Sequence, residues 1–191
     1  MRYPAAETAE KHQRILDEAS RLFRERGFAG VSVGEIMKAT GLTHGPFYNH
    51  FASKQALMAE GLAHASEKSL KDLLGTPETG EGRAAYVSRY LSADHRNAPG
   101  QGCLMAALAC EIGREPEIKR SFTTHLKAFI DTFTRHFPWP RKQDARGDAI
   151  RMLSSMVGAL ILARAVDDDA LSDEILREVR SELSAPTPVS G

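Results

Sequence analysis

Apolar residues recur at the helical period along most of this chain. In the first segment Ile15, Ala19, Leu22 and Phe23 are spaced by three or four residues, which places them on one face of a helix. No segment alternates apolar and polar residues as a half-buried strand would. The pattern therefore predicts an all-α fold of about nine helices. They are expected at residues 8–26, in two short segments between 31 and 54, and at residues 53–74, 82–94, 103–113, 116–137, 142–166 and 170–183.

Glycine and proline separate these segments. Gly27 stands where a left-handed residue would end the first helix, and Phe28 can then fold back onto it. Loops are predicted at residues 75–80, 97–102 and 138–140, each with glycine or proline. Residues 1–7 are expected to form a loose arm, and the Pro- and Ser-containing tail over 186–191 is expected to be disordered.

The stretch between residues 31 and 54 has the most specific pattern. Ser32 and Glu35 are three residues apart and form a capping-box pattern, and Gly41 stands where this short helix would end. Thr43 then suits the N-cap of a second short helix. A short helix, a glycine turn and another short helix are typical of a helix-turn-helix unit.

The second short helix is predicted to have two different faces. Phe47 and Phe51 are four residues apart, so they share one face and can enter a small core. The residues His44, Gly45, Tyr48, Asn49 and His50 fall largely on the other side. Phenol, amide and imidazole groups on an outward face can bond phosphate oxygens or base edges. Lys54 follows at the start of the next helix, where a cation can meet a phosphate.

The segment from residue 15 to residue 57 resembles the DNA-binding domain of the tetracycline-repressor-like (TetR) family of transcriptional regulators. The matching residues are Ala19, Leu22, Phe23, Gly27, Phe28, Val33, Ile36, Gly41, Phe47, Tyr48, Phe51, Lys54 and Leu57. The resemblance implies a three-helix DNA-binding domain over residues 1–54 and a helical effector-binding and dimerisation domain over residues 55–185. It also implies a regulator, usually a repressor, that binds a palindromic operator as a homodimer and is released by a small molecule.

The resemblance assigns DNA contacts position by position. Tyr48, His50 and Lys54 match positions that contact phosphates, and Thr43 does the same at the helix start. The residues that match base-facing positions are His44, Gly45, Pro46 and Asn49. Because Gly45 and Pro46 offer no side-chain hydrogen bond, sequence readout is expected to depend on the other two, a proline contact with thymine methyl groups, and DNA shape.

The resemblance further implies a pocket among the middle helices and a dimer interface on the last two. Candidate pocket residues are Tyr86, Tyr90, Cys103, Leu104, Leu108, Phe122, Leu126, Phe129 and Phe133; plain core packing is the alternative for each. Candidate interface residues are Met156, Ala159, Leu160, Ala163, Leu171, Ile175 and Val179. The last two predicted helices are apolar on more than one side, which one chain would struggle to cover, although an ordinary core within the chain remains an alternative.

Cys103 suggests a second kind of signal. It lies at a predicted helix N-terminus, where the helix dipole favours a thiolate. The sequence G-C-L-M-A-A-L-A resembles a subgroup of the family whose members respond to electrophiles and oxidants through a cysteine at this spot. Cys110 is seven residues away, about 10.5 Å along one helix, which is too far for a disulfide within that helix. The alternative is that both cysteines are inert buried side chains.

Composition limits the classes of protein to which this chain can belong. The formal net charge is zero, so strong non-specific DNA binding is not expected, whereas specific dimeric binding is. Two cysteines without a signal peptide or a long apolar run favour a cytoplasmic protein that does not span a membrane. No metal-ligand spacing, nucleophile motif or phosphate loop is present, so we expect no enzyme, no metal and no cofactor. The rival from another class is a helical binding module without a DNA role.

Overall fold

A computed structural model describes residues 5–42, 47–140 and 142–185. Within these ranges there are ten α-helices, two short 3-10 turns and no strand. The helices are α1 (Ala5–Arg26), α2 (Val33–Ala39), α3 (Phe47–His50), α4 (Lys54–Leu74), α5 (Gly80–Tyr90), α6 (Ala93–Asn97), α7 (Leu104–Ile112), α8 (Pro116–His136), α9 (Ala145–Ala165) and α10 (Asp169–Ser184). The predicted all-α fold is confirmed. Residues 186–191, where the sequence predicts a disordered tail, lie outside the described ranges.

Two boundaries differ from the sequence prediction. Residues 5–7 belong to α1, so this part of the predicted loose arm is helical. The predicted helix over 82–94 is shorter at its C-terminal end, and a separate short helix, α6, follows it. Ser92 explains the break, because its side chain accepts a hydrogen bond from the His95 amide and caps a new helix. This extra short helix raises the number from about nine to ten in the described part.

The first hydrophobic core joins the N-terminal helices to α7. Ile15, Phe23, Ile36 and Phe51 fill the space between α1, α2 and the residues around α3. The same core takes in side chains from α4 and from the later helices α7 and α8, namely Leu57, Leu62, Leu104, Leu108, Ile112 and Ile118. The predicted domain boundary at residue 54 falls at the first residue of α4, and the first core continues beyond it.

A second core holds the C-terminal half together. Tyr86 of α5, Phe129 and Phe133 of α8, and Leu160 of α9 are buried there beside Leu176 of α10. Aromatic rings fill much of the space, since Phe133 contacts the rings of Tyr86, Phe129, Phe137 and Trp139. Edge and offset contacts of this kind add to the stabilisation that burial provides. Over the described residues, none of the helices has the length and hydropathy that crossing a bilayer requires.

Candidate DNA-binding surface and effector cavity

The turn between α2 and α3 begins as the sequence predicts. The Ser32 hydroxyl accepts from the Glu35 amide, and the Glu35 carboxylate accepts from the Ser32 amide, so the capping box is complete. At the other end of α2, Gly41 has φ +71°. The Gly41 amide bonds the Lys38 carbonyl and the Leu42 amide bonds the Met37 carbonyl. These two bonds form a Schellman motif, which ends α2 and fixes the direction in which the chain leaves it.

The described part of α3 has one buried face and one exposed face. Phe47 and Phe51 are buried in the first core, whereas Tyr48 is 67% exposed. Asn49 is also exposed and His50 is half-buried. The other predicted DNA-contacting residues, Thr43, His44, Gly45 and Pro46, lie outside the described residues. The part of α3 that is described therefore has the two-faced arrangement that the sequence predicts.

His50 lies beside a second histidine at the edge of this surface. The ring of His12 stacks on Phe51 with centroids 4.6 Å apart and lies 5.7 Å from the ring of His50. The Nε2 atom of His12 is 3.2 Å from the Glu60 carboxylate. Burial, together with His12 and Lys11, lowers the pKa of His50. A phosphate would act in the opposite direction, because a nearby negative charge favours the protonated imidazole.

The peptide groups on either side of Phe28 are held by two different helices. Lys54 of α4 donates from its ammonium to the Phe28 carbonyl at 2.6 Å. The Phe28 amide donates to the carboxylate of Glu111, in α7, at 2.8 Å. Because an ammonium carries three donors, this bond leaves Lys54 with hydrogens for a phosphate. We name the Lys54–Phe28–Glu111 chain of contacts the Phe28 latch.

A cavity of about 460 Å³ lies beside α7, between the two cores. Such a volume is within the range of roughly 300–1,000 Å³ found for small-molecule sites. Five of the predicted pocket residues line it, namely Tyr86, Tyr90, Cys103, Leu104 and Phe129. The other four do not: Leu108 packs in the first core, Phe133 in the second, and Phe122 and Leu126 are partly buried beside them.

Sequence reasoning missed the polar half of this cavity wall. Arg24, Lys68, Asp72, Arg89, His95 and His125 also line it. They come from α1, α4, α5, α6 and α8, so no spacing along the chain marks them as one site. Lys68 pairs with Asp17, and Arg89 pairs with Asp72. The sequence offered one hint of these polar residues, which is a histidine, His125, on an otherwise apolar face of a predicted helix.

Cys103 is the N-cap residue of α7, and its backbone amide is hydrogen-bonded to a histidine side chain. Its amide donates to Nε2 of His95 at 3.0 Å, and the other ring nitrogen of His95 lies 2.6 Å from the Tyr90 carbonyl. Nδ1 must therefore carry the proton, since a carbonyl only accepts, and the ring is neutral. Burial lowers the pKa of His95, which agrees with this tautomer. Cys103 is half-buried, while Cys110 is exposed, so the alternative of two buried cysteines is wrong for Cys110.

Two tyrosines face each other along α5. The rings of Tyr86 and Tyr90 are 6.5 Å apart, and burial raises the pKa of both hydroxyls. Both therefore keep their protons and can donate hydrogen bonds. Within the described ranges, the Tyr90 hydroxyl is buried without a hydrogen-bond partner. A buried hydroxyl in that state carries an uncompensated desolvation cost.

His125 gives folding stability a dependence on pH. Its ring bonds Ser66 of α4 in the buried contact between α4 and α8, and burial lowers its pKa to about 4 from 6.5. Because the folded pKa is the lower one, stability is complete above about 6.5 and is lost as pH falls towards 4. At about pH 5 we expect the free energy of unfolding to be about 2 kcal/mol smaller than at about pH 8 through this group. Urea unfolding at the two pH values measures it. Between the same two pH values the free energy of unfolding of the His125→Gln protein should fall about 2 kcal/mol less than that of the wild type. An equal fall in both proteins would contradict the assignment.

The last two helices place the predicted interface residues in different environments. Met156, Ala159, Leu160 and Ala163 are buried inside the single chain, so they have almost no surface left for a partner. Leu171 is exposed, and Ile175 and Val179 are partly buried against the second core. The four that are buried therefore cannot form the main part of an interface with a partner chain. Among the described residues, no group of three or more His, Cys, Asp or Glu side chains is arranged to hold a metal ion.

The sequence matches known regulators most strongly in its first third. The family model described as bacterial regulatory proteins, tetR family, matches residues 15–60. The transcriptional regulator AcrR of Shigella flexneri is 43% identical over 67 residues, which are 35% of this chain and 31% of AcrR. The transcriptional repressor NemR of Escherichia coli K12 is 30% identical over 117 residues, 57% of each chain. In both matches the chain spans less than two thirds of the relative's length.

Other comparisons extend over nearly the whole chain. The HTH-type transcriptional regulator Rv0196 of Mycobacterium tuberculosis H37Rv is 26% identical over 190 residues, 92% of this chain and 95% of Rv0196. The crystal structure of E. coli NemR in its reduced form has a TM-score of 0.72 at 19% identity, covering 91% of this chain and 95% of that one. This last likeness shows the shared fold. The helix-turn-helix geometry and the sequence comparison agree, since residues 15–60 match the family model of bacterial regulatory proteins, tetR family.

Proposed function

We propose that the chain is a transcriptional repressor that binds a palindromic operator as a homodimer and is released by a small molecule in the cavity beside α7. The observation that carries the DNA role is the two-faced α3. Its phenylalanines are locked in the first core, while Tyr48 and Asn49 face outward. A helical binding module without a DNA role has no need of such a surface. The proposal includes no enzymatic step.

The outward arc of α9 supports the homodimer. At 3.6 residues per turn, the buried residues of α9 occupy one side of the helix and a second apolar set occupies an arc of about 140° on the other. The apolar members of this arc are exposed or half-exposed, and the arc also contains the polar Ser154 and the charged Arg151; the apolar members are Ile150, Val157, Gly158, Ile161, Leu162 and Ala165. A side chain added at Gly158 would meet nothing within 4 Å. Small residues in an exposed apolar stripe allow a second helix to approach closely. The proposed interface is therefore this α9 stripe, with Leu171 of α10 beside it.

The contacts between cavity and head supply a physical route for release. Arg24, in α1, lines the cavity and donates to the Gly100 carbonyl just before α7. The far end of α7 bonds the Phe28 amide through Glu111. A ligand that changes the position of α7 therefore changes contacts on both sides of the DNA-binding head. It alters operator affinity only by as much as it prefers one arrangement over the other.

A salt-dependent DNA titration tests the DNA role. Fragments from the region upstream of its own gene are titrated with protein between low and moderate salt, with Tyr48→Phe as a comparison. We expect tight binding that strengthens as salt falls, and weaker binding by the variant, because a hydroxyl contact to phosphate is lost. Absence of binding to these and to genome-wide captured fragments at low salt would favour the rival, a helical module without DNA.

Lys54→Ala is expected to weaken binding to every DNA sequence alike. Removal of one phosphate contact should lower the slope of log affinity against log salt by about 1. Lys71→Ala is the matched control, since Lys71 is an exposed lysine near the other end of α4. Urea unfolding of both variants separates this effect from loss of the Lys54–Phe28 bond. A changed sequence preference with an unchanged salt slope would contradict the phosphate role.

Cys103 offers a second candidate for the signal. Its thiol lines the cavity, so a reactive ligand in the cavity would reach it. If modification of Cys103 releases DNA, a thiol-selective electrophile such as N-ethylmaleimide should release DNA from the wild type and the Cys110→Ser control but not from Cys103→Ser. Retained release in Cys103→Ser would leave reversible ligand binding as the signal.

A further inference from the structure

Two half-buried arginines, Arg24 and Arg164, lie near the start of α7 without an ion-pair partner among the described residues. Arg24 donates from Nε and Nη2 to the Gly100 carbonyl at 2.8 and 2.5 Å. Arg164 donates to the carbonyls of His95 and Arg96 at 2.7 and 3.0 Å. In the described ranges neither guanidinium forms an ion pair, in contrast to Arg21, Arg89 and Arg151. Backbone carbonyls supply their hydrogen-bond acceptors, and Glu25 and Asp17, which are paired with other cations, act on Arg24 only at longer range.

Burial makes the lack of an ion-pair partner costly. It lowers the pKa of Arg24 and of Arg164, which reports how poorly their surroundings solvate the charge. Arginine nevertheless remains protonated. An anion that reaches such a group recovers part of the lost solvation energy, and charge-assisted hydrogen bonds are the stronger kind. This end of the cavity is therefore suited to a negative group.

The Tyr90 hydroxyl indicates, independently of the arginines, that a ligand acceptor is missing from this part of the cavity. Tyr90 is 8% exposed and lines the same cavity, and its hydroxyl is unpartnered in the part of the chain that the structure describes. Cys103 interacts electrostatically with Arg24 and Arg164, and its thiol, a weak hydrogen-bonding group, approaches the Tyr90 hydroxyl, which places all three around the same point. Since the hydroxyl keeps its proton, it can donate to an oxygen of an anionic ligand.

The rest of the cavity wall is apolar. Tyr86, Leu104, Met105 and Phe129 present ring and aliphatic surface to the cavity. An apolar body of one or two rings fits a volume of this size. The acidic residues that also line the cavity do not cancel the charge at the α7 end, because Asp72 is paired with Arg89 and Asp94 is exposed at the N-terminus of α6.

We propose that the effector is a small organic acid with an apolar, preferably aromatic, body. Its carboxylate is received by Arg24 and the Tyr90 hydroxyl, and its body lies against Phe129 and the other apolar residues of the wall. This inference rests on the proposed function only in treating the cavity as the effector site. It also gives the ligand a direct contact with the head, because Arg24 belongs to α1, the first helix of that region.

Calorimetry with matched acids and amides tests the ligand class without DNA. The probes are benzoate, 3-phenylpropionate and 2-naphthylacetate, each paired with its primary amide, which has the same shape and no charge. We expect at least one acid to bind about tenfold or more tightly than its amide, the effect of a charge-assisted bond. No binding by any acid, or equal binding of every acid and its amide, would overturn the proposal.

Variants locate the charge preference. Arg24→Met should reduce the acid-over-amide ratio to about one, and Arg24→Lys should restore part of it. Tyr90→Phe removes one oxygen and keeps the ring, so it is expected to weaken acid binding about threefold to tenfold even if Arg24→Met fails to fold. Arg114→Met, at an exposed arginine beyond α7, is the control. An acid preference that survives both Arg24→Met and Tyr90→Phe, or that disappears only in Cys103→Ser, would overturn the assignment.

The two proposals fail in different experiments. Acid binding is measured on the protein alone, so a negative result leaves operator binding untouched and only the ligand class is wrong. Acid binding by a protein that binds no DNA would contradict the repressor and leave the anion site standing. If the protein binds both the acid and the operator, the acid should lower the operator affinity of the wild type and have little effect on that of Arg24→Met.

Discussion

A Leu162→Glu protein is expected to be monomeric and to bind its operator at least a hundredfold more weakly than wild type at the same concentration. Leu162 is 57% exposed in the outward arc of α9. Two-fold symmetry would bring two new carboxylates into one apolar interface, and burying an unpaired charge costs several kcal/mol. Loss of the dimer then removes the simultaneous engagement of two half-sites, which contributes much of the affinity. Light scattering after gel filtration gives the mass, and a DNA titration gives the affinity.

Leu74→Glu is the matched control for this prediction. Leu74 is 58% exposed at the end of α4, so the same substitution there tests the general effect of an added surface carboxylate. The control protein should remain a dimer and keep its operator affinity. A Leu162→Glu dimer of normal affinity would show that the α9 stripe faces solvent. The interface would then have to be sought on another surface.

Gly27→Ala is expected to reduce the free energy of unfolding by about 2–4 kcal/mol. Gly27 has φ +74°, and for a residue with a Cβ this conformation costs about 1–2 kcal/mol. The new Cβ would also stand 2.2 Å from the Glu111 Oε1 atom, which no real structure tolerates. Glu111 must therefore move away, and its bond to the Phe28 amide is lost with a further cost. Urea unfolding monitored by circular dichroism measures the total.

Gly41→Ala separates the two contributions. Gly41 has almost the same backbone conformation, φ +71°, but the nearest atom to an added Cβ is on Arg14 at 3.9 Å. It should therefore show the conformational cost alone, about 1–2 kcal/mol. An equal decrease in the free energy of unfolding in the two variants would mean that Glu111 moves aside at no cost. The Phe28 latch would then contribute little to stability.

Local chemistry explains why much of the head could be predicted from the sequence. Ser32 and Glu35 form their capping box within four residues, and Gly41 ends α2 through bonds to its own last turn. Phe47 and Phe51 are placed inward by helical spacing alone. None of these features depends on distant parts of the chain. The short helix α6 was missed because only its cap, Ser92, marks it, and its five residues are too few to show a helical periodicity.

The cavity and the proposed dimer surface could not be predicted in the same way. Arg24 and His95 meet at the cavity only because α1 and α6 are brought together by tertiary packing. On α9, apolar residues surround the helix, so periodicity does not tell which arc meets the chain's own core. The sequence therefore led to Met156 and Leu160, which are buried, rather than to Leu162, which is exposed. For a similar reason only five of the nine candidate pocket residues line the cavity, while Leu108 and Phe133 belong to the two cores.

The Phe28 latch has a consequence for engineering biosensors by exchanging heads between relatives. A chimera that joins a foreign N-terminal region to this effector region keeps Glu111 but can lose Gly27, which leaves room for the Glu111 carboxylate, and with it the geometry of the bond to the Phe28 amide. Arg24 would be exchanged with the head, although it lines the cavity. A graft cut at residue 54 would thus transfer part of the proposed ligand site along with the proposed DNA-reading surface. Chimeras that retain Arg24, Gly27 and Phe28 from this chain should preserve the original ligand response, while a head without them should bind DNA and respond to no ligand.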